Sequence, residues 1–188
     1  MIIIEGDRVD LVEPFPTNQL GRLWGWAKAM KSIAVLDGSP QTEKEFIEYM
    51  NSALPYIRSF GVIDKYNEIN AKHEAPMVGF IMLQPNAPCS MYFHVASSRR
   101  VWGSGLLNEA ALLSFNNVFE TEPGLQRISA FAPATNKAAR GFYKNIGMHK
   151  DGYFKNAGII KGHPISMAHY GYIRPVASEI NYNRMETT

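Results

Sequence analysis

The sequence predicts an α/β domain of the α+β kind, built on a mixed, mostly antiparallel seven-stranded sheet flanked by about four helices. Two observations lead to this prediction. Apolar residues recur with alternating strand and helix periodicities, in the order β-α-α-β-β-β-α-β-α-β-β. A strand–helix–strand unit in the middle of that order favours one parallel strand pair, whereas the other strands are joined as antiparallel hairpins.

The first half of the chain is predicted to hold three strands and two helices. Residues 8–12 alternate between polar and apolar types, as a half-buried strand does. Thr17 or Asn18 is expected to cap the first helix, and Thr42 with Glu45 forms a capping box for the second. The predicted elements are strands at 8–12, 56–63 and 77–83, a helix at 17–30, and a helix from 42 that Pro55 ends.

The second half carries the central crossover, in which a basic, glycine-spaced turn separates a strand from a helix. A later, shorter helix ends at Gly147, because glycine readily adopts the left-handed conformation of a helix C-cap. The last two strands are predicted to form a closing hairpin. The predicted strands are 89–96, 126–131, 153–160 and 165–173, and the predicted helices are 103–118 and 136–146.

Length, composition and charge limit the classes of function. The chain has 188 residues, 46% of them hydrophobic, which suits one domain with a substantial core. We expect this domain at 1–176, followed by a polar tail at 177–188. Nineteen Lys and Arg against 17 Asp and Glu leave a net charge of +2, too balanced for a protein that binds nucleic acid mainly by electrostatics.

The sequence also indicates the compartment. The single cysteine, Cys89, excludes an intrachain disulfide framework and suits a reducing environment. No run of 18 uncharged apolar residues suggests a membrane span, and the N-terminus lacks the basic start of a signal peptide. The histidines lack the spacing of metal ligands, so no metal is expected. We therefore expect a cytoplasmic protein, either a monomer or a homodimer.

The most informative segment is the turn at 99–105, which reads RRVWGSG between a predicted strand and a predicted helix. The first backbone N–H groups of a helix have no intrahelical acceptor, and the helix dipole favours an anion beside them. The dinucleotide pattern G-x-G-x-x-G is absent, because position 108 is Asn108, and the P-loop pattern is absent as well. The spacing R-x-x-G-x-G thus indicates a phosphate-binding turn of another kind, or a plain strand-to-helix turn.

A second block narrows this choice. Residues 136–148 read NKAARGFYKNIGM and look like the segment N-x-x-(S/A)-x-x-(F/L)-Y-x-x-x-G-F. Together with R-x-x-G-x-G it resembles the GNAT superfamily of acetyl-CoA-dependent N-acyltransferases, over most of residues 8–174. Arg8 in the first strand and Asp151-Gly152 before the final hairpin are similar to the branch that acetylates protein N-termini and ribosomal proteins.

The resemblance implies a GNAT fold in which the fourth and fifth predicted strands splay apart, and the pantetheine arm of acetyl-CoA pairs in the gap like an extra strand. Asn136 is expected to touch that arm, and Tyr143 to lie by the thioester sulfur as the catalytic residue. Ala139 stands where many relatives have Ser. The turn amides from Val101 to Gly105 are expected to face the pyrophosphate. The implied cofactor-binding residues are Phe93, His94, Val95, Arg100, Val101, Trp102, Gly103, Ser104, Gly105, Asn136 and Ala139.

Amine acetylation needs a neutral amine, a polarised carbonyl and a proton for the departing thiolate. The backbone N–H of Val95 is a candidate for polarising the carbonyl, and Tyr143 is either a general acid or only a core aromatic residue. The positions where some relatives carry a Glu or His that deprotonates the amine hold Cys89 and Met91, while His94 lies on the opposite strand face. Four routes remain: a water chain, a residue elsewhere such as Asp37 or Glu45, an amine that arrives neutral, or lost catalysis.

These patterns lead to two hypotheses of different classes. The first is an N-acetyltransferase that acts on a primary amine, either of a protein N-terminus or of a small molecule, by direct attack in a ternary complex. The second is a GNAT-fold interaction module that is catalytically weak or inactive, a hypothesis that Trp102 and Ala139 keep open. A variant of the first uses another acyl-CoA. The balanced charge disfavours polyamine specialists, which benefit from an acidic pocket.

Overall fold

The core of the fold is an eight-stranded sheet in the order β1-β2-β3-β4-β5-β6-β8-β7. The structure is a computed structural model that describes residues 1–30, 39–66 and 77–175. The strands are β1 Ile2–Glu5, β2 Val9–Glu13, β3 Arg58–Asp64, β4 Met77–Ala87, β5 Ser90–Ser97, β6 Arg127–Pro133, β7 His149–Ile160 and β8 His163–Ile173. The helices are α1 Leu20–Met30, α2 Glu43–Ala53, α3 Leu106–Thr121 and α4 Lys137–Asn145.

The prediction of seven strands is wrong by one, because it omitted β1. This strand pairs antiparallel with β2, with Ile2 opposite Glu13 and Glu5 opposite Asp10. It is only four residues long and lies at the sheet edge, with Ile2 and Ile3 largely exposed. Its apolar side chains therefore show no clear periodicity, and its pairing with β2 is what makes it a strand.

The predicted crossover and splay are both present. Strands β5 and β6 form the parallel pair, connected through α3. Within the described residues they pair only from Ser90 to Tyr92 and from Arg127 to Ser129, although both strands continue beyond these points. Beyond these points β5 remains hydrogen-bonded to β4, and β6 remains hydrogen-bonded to β8. The sheet thus opens between its two central strands while its outer halves stay intact.

Two helix layers cover the two sheet faces. Helices α3 and α4 pack on one face, in a core that includes Phe93, Phe115 and Tyr143. Helices α1 and α2 pack on the other face, in a core that includes Phe46 and Phe80. Because successive strand residues point to opposite faces, neighbouring residues of β5 contribute to different sides of the sheet.

Helix ends follow the sequence at some positions and differ from it at others. The capping box of Thr42 and Glu45 is confirmed at the start of α2. The first helix differs, because a 3-10 turn occupies Thr17–Gln19 and no side chain caps it. Gly147 has a φ of +80°, which confirms the left-handed end of α4. No helix in the described ranges is long and apolar enough to cross a membrane.

Candidate functional site

A cavity of about 490 Å³ lies where β5 and β6 separate. Residues 92–95 of β5 form one wall and residues 130–133 of β6 form the other. Asn136, Ala139 and Tyr143 of the α4 segment close one side. The closing hairpin adds Phe154, Ala157, Ile160 and Met167. The cavity therefore depends on two strands that stop pairing, which leaves backbone donors and acceptors of both strands available to a ligand.

The cavity brings together six of the residues that the resemblance implies. Phe93, His94 and Val95 come from β5, and Asn136, Ala139 and Tyr143 come from the loop before α4 and from α4 itself. The other six, at 100–105, are absent from its lining and lie in the turn that follows β5. The candidate site thus has two parts, the cavity and the turn that follows β5.

Tyr143 is buried, with 6% of its surface exposed, and its hydroxyl donates to the backbone carbonyl of Phe131 at 3.2 Å. Its ring packs near Phe93 and Tyr170, with centroid distances of 6.3 and 5.3 Å. Burial raises the pKa of the phenol, and the neighbouring Tyr170 adds to this. The hydroxyl therefore keeps its proton at neutral pH, and its single O–H is directed at the Phe131 carbonyl.

Asn136 has a structural function as well as a place in the cavity lining. Its Oδ1 atom accepts from the Ala139 amide at 3.0 Å, which makes it the N-cap of α4. The cap holds the side-chain carbonyl in place and leaves the amide NH₂ as the group that can donate to a ligand. Ala139 lines the cavity beside it with only a methyl group.

His94 lines the cavity on the sheet face opposite to Phe93. Its Nε2 atom is buried and has no hydrogen-bond partner in the described part of the chain. Burial lowers the pKa of the imidazole to about 4, so the ring is neutral at pH 7. A buried ring nitrogen without a hydrogen-bond partner is uncommon in a folded protein.

An aromatic cluster lies on the same sheet face as His94, and its members Tyr92, Phe131 and Phe154 line the cavity. Phe131 stacks on His169, with ring centroids 4.5 Å apart, and its edge contacts Tyr92 and Phe154 at 5.4 and 5.8 Å. His169 is held by Asp151, whose Oδ2 lies 3.2 Å from Nδ1. The sequence analysis missed this cluster, because its members come from four strands whose order along the sheet only the topology defines.

The turn after β5 is a 3-10 turn at Arg99–Val101 followed by two glycines with left-handed backbone conformation. Gly103 has a φ of +75° and Gly105 a φ of +82°, which L side chains rarely adopt. A Cβ on Gly103 would meet no atom within 4 Å, so the space in front of that residue is open. Gly105 is the N-cap of α3 and has no side chain to occupy the helix terminus.

Internal hydrogen bonds engage several of the turn amides. The amides of Val101, Trp102 and Ser104 donate to carbonyls of the same turn at 3.1 to 3.3 Å. Those of Gly103 and Gly105 donate to no acceptor among the residues that the structure describes. Gly103 and Gly105 are thus the turn residues whose amides have no internal acceptor among the described residues, and the expectation that the amides from Val101 to Gly105 face a pyrophosphate stays a prediction.

Trp102 points away from the cavity, since it is absent from the lining and 47% exposed. Its Nε1 donates to the Ser97 hydroxyl at 3.1 Å, and the Arg99 guanidinium lies 5.7 Å from its ring centroid. Arg100 is exposed, and its amide donates to the Ser98 hydroxyl at 3.4 Å. Trp102 thus does not cover the cavity.

Arg8 supports the turn from the sheet edge. Its Nη1 donates to the Ser104 carbonyl at 3.2 Å, and its Nε pairs with Glu109 at 3.0 Å. A Cβ on Gly105 would lie 3.1 Å from Nη2, so the guanidinium packs directly against the glycine. Burial alone would raise the pKa of Glu109, but hydrogen bonds from the amides of Arg8 and Val9 and from the Arg8 side chain lower it. The carboxylate therefore stays ionised and fixes Arg8.

The other candidate bases are not in the cavity. Cys89 is exposed and Met91 is buried, and neither lines it. Glu45 accepts from the amides of Gln41 and Thr42 and is also absent from the lining. Asp37 lies outside the described residues. The described lining contains no carboxylate, and the described ranges contain no cluster of side chains that could hold a metal ion.

Comparison with known proteins identifies related domains. The family model for the acetyltransferase (GNAT) domain matches residues 13–149. No curated protein sequence matches the chain.

Solved structures resemble the whole fold at low sequence identity. A GNAT-family acetyltransferase from Bacillus anthracis superposes with a TM-score of 0.73 at 18% identity, covering 92% of this chain and 98% of that one. A Salmonella typhimurium acetyltransferase that modifies the N-terminal serine of ribosomal protein L7/L12 reaches 0.76 at 12% identity, covering 93% and 100%. A variant of the Vibrio cholerae spermidine N-acetyltransferase SpeG reaches 0.73 at 15% identity, covering 95% and 99%. At such identities the likeness concerns the fold.

Proposed function

Because the chain belongs to the GNAT acetyltransferase family, we propose that it moves an acetyl group from acetyl-CoA to a primary amine by direct attack in a ternary complex. The observation that carries this proposal is the cavity between β5 and β6, which six of the implied site residues line. Strand edges that stop pairing there suit an extended amide-bearing chain such as pantetheine, because it can pair with them as a strand does.

The residues around the cavity and the turn fit acetyl-CoA. The backbone of Phe93, His94 and Val95 would hold the pantetheine arm, with the Asn136 side-chain amide and Ala139 beside it. The turn from Arg100 to Gly105 would hold the pyrophosphate, through the amides of the two glycines and the positive end of α3. The open space in front of Gly103 supports this placement, since any side chain there would occupy it.

Acetyl-CoA supplies the activated acyl group when it is bound. The Val95 amide is our candidate for polarising the acyl carbonyl. Tyr143 is our candidate donor to the departing sulfur. The pKa of a phenol, ordinarily about 10, already lies above the roughly 8.5 of a thiol, and burial raises that of Tyr143 further. We therefore expect Tyr143 to turn its O–H from the Phe131 carbonyl to the sulfur and to stabilise it by a hydrogen bond more than by full proton release. Positioning the two reactants in one cavity supplies much of the remaining acceleration.

The acceptor is proposed to be a primary amine of a protein N-terminus or of a small molecule. The structurally similar proteins include one that modifies an N-terminal serine and one that acetylates spermidine. The described part of the cavity wall has aromatic and aliphatic side chains and no carboxylate. This composition favours an amine next to an apolar group over a polyamine, which would need acidic partners.

We place this activity in a single domain at 1–176 of a cytoplasmic protein, a monomer or homodimer with no nucleic-acid partner. The proposed tail at 177–188 lies outside the described residues.

The experiment is a ligand-dependent thermal shift followed by an acceptor screen. A ligand at 100 times its Kd stabilises the native state by roughly 2.7 kcal/mol, so acetyl-CoA is expected to raise the Tm by several degrees. Mass spectrometry over peptides and small amines then identifies the acetylated acceptor. Absence of any Tm shift at millimolar acetyl-CoA, together with absence of turnover, would reject the proposal in favour of an inactive interaction module.

A further inference from the structure

Positive charge is concentrated in the second half of the chain. Residues 123–175 contain eight Lys and Arg against one acidic residue, Asp151, whereas residues 1–122 contain ten against fourteen. The small net charge of the whole chain therefore results from a basic part and an acidic part that nearly cancel. The basic part includes α4 and the closing hairpin, which both contribute to the cavity lining. A surface with one sign of charge attracts partners of the opposite sign.

Five cations of α4 and β7 form a surface that we call the basic face: Lys137, Arg140, Lys144, Lys150 and Lys155. Arg140 is half-buried and the other four are exposed. The three on α4 are spaced at i, i+3 and i+7 and so share one side of the helix, whereas Tyr143 packs in the core. The Lys150 ammonium lies 3.4 Å from the ring centroid of Tyr153 and the Arg140 guanidinium carbon lies 6.0 Å from it. Helix and strand cations thus meet over one aromatic ring.

The charges of the basic face are not neutralised within the described residues. None of the five cations forms an ion pair there. Asp151, the acid nearest in sequence, pairs with Arg127 and His169 instead. Lysines on an edge strand such as β7 prevent unwanted pairing with another strand. This explanation does not extend to the row of cations on α4, so the basic face calls for a second explanation.

The basic face borders the cavity. Asn136, Ala139 and Tyr143 line the cavity, and each is followed directly by a cation of the basic face. Phe154 of β7 also lines it and is followed by Lys155. Successive helix residues are about 100° apart and successive strand residues point to opposite faces, so these cations flank the cavity without lining it. A chain that docks on the basic face can therefore place its end in the cavity.

We propose that the basic face binds an acidic segment of a polypeptide whose N-terminal amine is the acetyl acceptor. This inference rests on the proposed acetyltransferase function and chooses among its acceptors. Carboxylates downstream of the N-terminus pair with the cations of the basic face while the amine enters the cavity. The described lining has no carboxylate to attract a free cationic amine, and the basic face repels polyamines and basic peptides.

An acidic polypeptide fits the basic face better than a nucleic acid does. Single-stranded nucleic acids stack their bases on open aromatic rings between the cations that bind their phosphates. The Tyr153 ring is covered by Lys150 and offers no such open face on that side. The excess of acidic residues in 1–122 also disfavours a long phosphate backbone. A polypeptide, moreover, brings the aliphatic amine that receives the acyl group.

The test uses three pools of synthetic peptides with a varied first residue and four downstream Glu, Gln or Arg residues. Arginine adds positive charge without adding a second acetylatable amine. At saturating acetyl-CoA and low salt, we expect kcat/KM to be roughly tenfold higher for the Glu pool than for the Gln pool, mainly through KM, and lowest for the Arg pool. This preference should shrink above physiological ionic strength, where the Debye length falls below about 8 Å.

A pair of double variants links this preference to the basic face. Lys144→Gln with Lys155→Gln removes two of its charges, and Lys28→Gln with Lys44→Gln is the matched control on the α1 and α2 layer, since all four lysines are exposed. We expect the first double variant to lower kcat/KM for the Glu pool about fivefold and to change that for the Gln pool less than about twofold. The control should match the wild type with every pool.

The outcomes separate this inference from the function on which it rests. A wild type without an acetyl-CoA shift or turnover of any amine would overturn both. Acetylation of small amines alone, or equal kcat/KM for the three pools, would overturn only the inference. So would an equal loss with the Glu and Gln pools in Lys144→Gln with Lys155→Gln, because the cations would then serve acetyl-CoA. A labelled single-stranded RNA that binds more tightly than the Glu pool would overturn it in favour of a nucleic acid.

Discussion

The cavity and the turn that follows β5 are built in different ways, although both adjoin the same strand. The turn is local, since its shape depends on hydrogen bonds between residues three apart and on two glycines with positive φ. The cavity is non-local, since it exists because β5 and β6 stop pairing after three residue pairs. The turn is therefore shaped by hydrogen bonds and backbone conformations within a few residues, whereas the cavity depends on the packing of four or more elements.

The turn and the cavity also differ in how their polar groups are hydrogen-bonded. The turn satisfies most of its own amides and leaves those of Gly103 and Gly105 without an internal acceptor. The cavity buries His94 Nε2 without a partner and engages the Tyr143 hydroxyl with a strand carbonyl. We therefore expect changes in the turn to affect ligand binding most, and changes in the cavity to affect turnover and stability.

The largest expected effect comes from Gly103→Glu in the turn. Two methylene groups and a carboxylate would occupy the open space before the glycine, at a φ that L residues adopt with strain. We expect acetyl-CoA affinity to fall by more than about 100-fold, or roughly 2.7 kcal/mol, measured by calorimetry. Gly162→Glu is the matched control, since Gly162 has a φ of +74° and equal open space in the hairpin turn. Equal loss of affinity in both variants would contradict a phosphate role for Gly103.

The next effect concerns the pH dependence of stability on the His94 side of the cavity. The folded-state pKa of about 4 lies below the ordinary value of 6.5, so His94 disfavours protonation of the native state. Its contribution to stability is complete above pH 6.5 and is lost as the pH falls through 4. A shift of about 2.5 units corresponds to roughly 3 kcal/mol.

Denaturant unfolding from pH 7 to pH 4 measures this contribution. The wild type is expected to lose more stability than His94→Leu between pH 7 and pH 4. Both proteins have the same carboxylates, so the difference between their curves isolates the contribution of His94. Parallel curves for the two proteins would show that the imidazole is hydrated in the native state.

Tyr143→Phe tests the other side of the cavity. Loss of a hydrogen bond to a charged group costs about 1.5–3 kcal/mol, so kcat should fall roughly 10- to 100-fold with little change in acetyl-CoA affinity. The variant also leaves the Phe131 carbonyl without this donor, which should lower the Tm by a few degrees. Steady-state kinetics with an unchanged kcat would remove Tyr143 from the mechanism and leave it as a core residue.

The smallest expected effect is that of Asn136→Ala. Asn136 caps α4 and also lines the cavity. Loss of the α4 N-cap should cost about 1 kcal/mol of folding free energy. Thr42→Ala removes the N-cap of α2, outside the cavity lining, and should cost about as much. Only Asn136→Ala is expected to weaken acetyl-CoA binding, and a thermal shift series compares the two. Equal affinities would assign Asn136 a capping role alone.

The sequence predicted those parts of the site that depend on residues close together in the chain. The strand–turn–helix unit around Gly103 and Gly105 was predictable because glycine spacing and helix periodicity are local signals. The capping box of Thr42 and the C-cap at Gly147 were predictable for the same reason. The splay and the grouping of Tyr143 with β5 came from the family resemblance, since no spacing in this chain encodes them.

Features that depend on contacts between distant residues could not be predicted from the sequence. The edge strand β1 is too short to show periodicity and forms only by pairing with β2. The aromatic cluster of Phe131, Tyr92, Phe154 and His169 requires the strand order of the finished sheet. Parity alone placed His94 opposite Phe93, but its burial without a partner depends on atoms from other elements.

The amino-acid sequence by itself thus determined the class of fold and the place of the turn, because periodicity, caps and glycine spacing act over a few residues, and its two motif blocks indicated the family. The tertiary structure decided which polar groups are satisfied. The Tyr143 hydroxyl has an acceptor and His94 Nε2 has none in the described chain, since hydrogen bonding and desolvation depend on neighbours that are distant in the chain. The acyl-transfer site that we propose between β5 and β6 therefore depends on contacts that only the folded chain brings together.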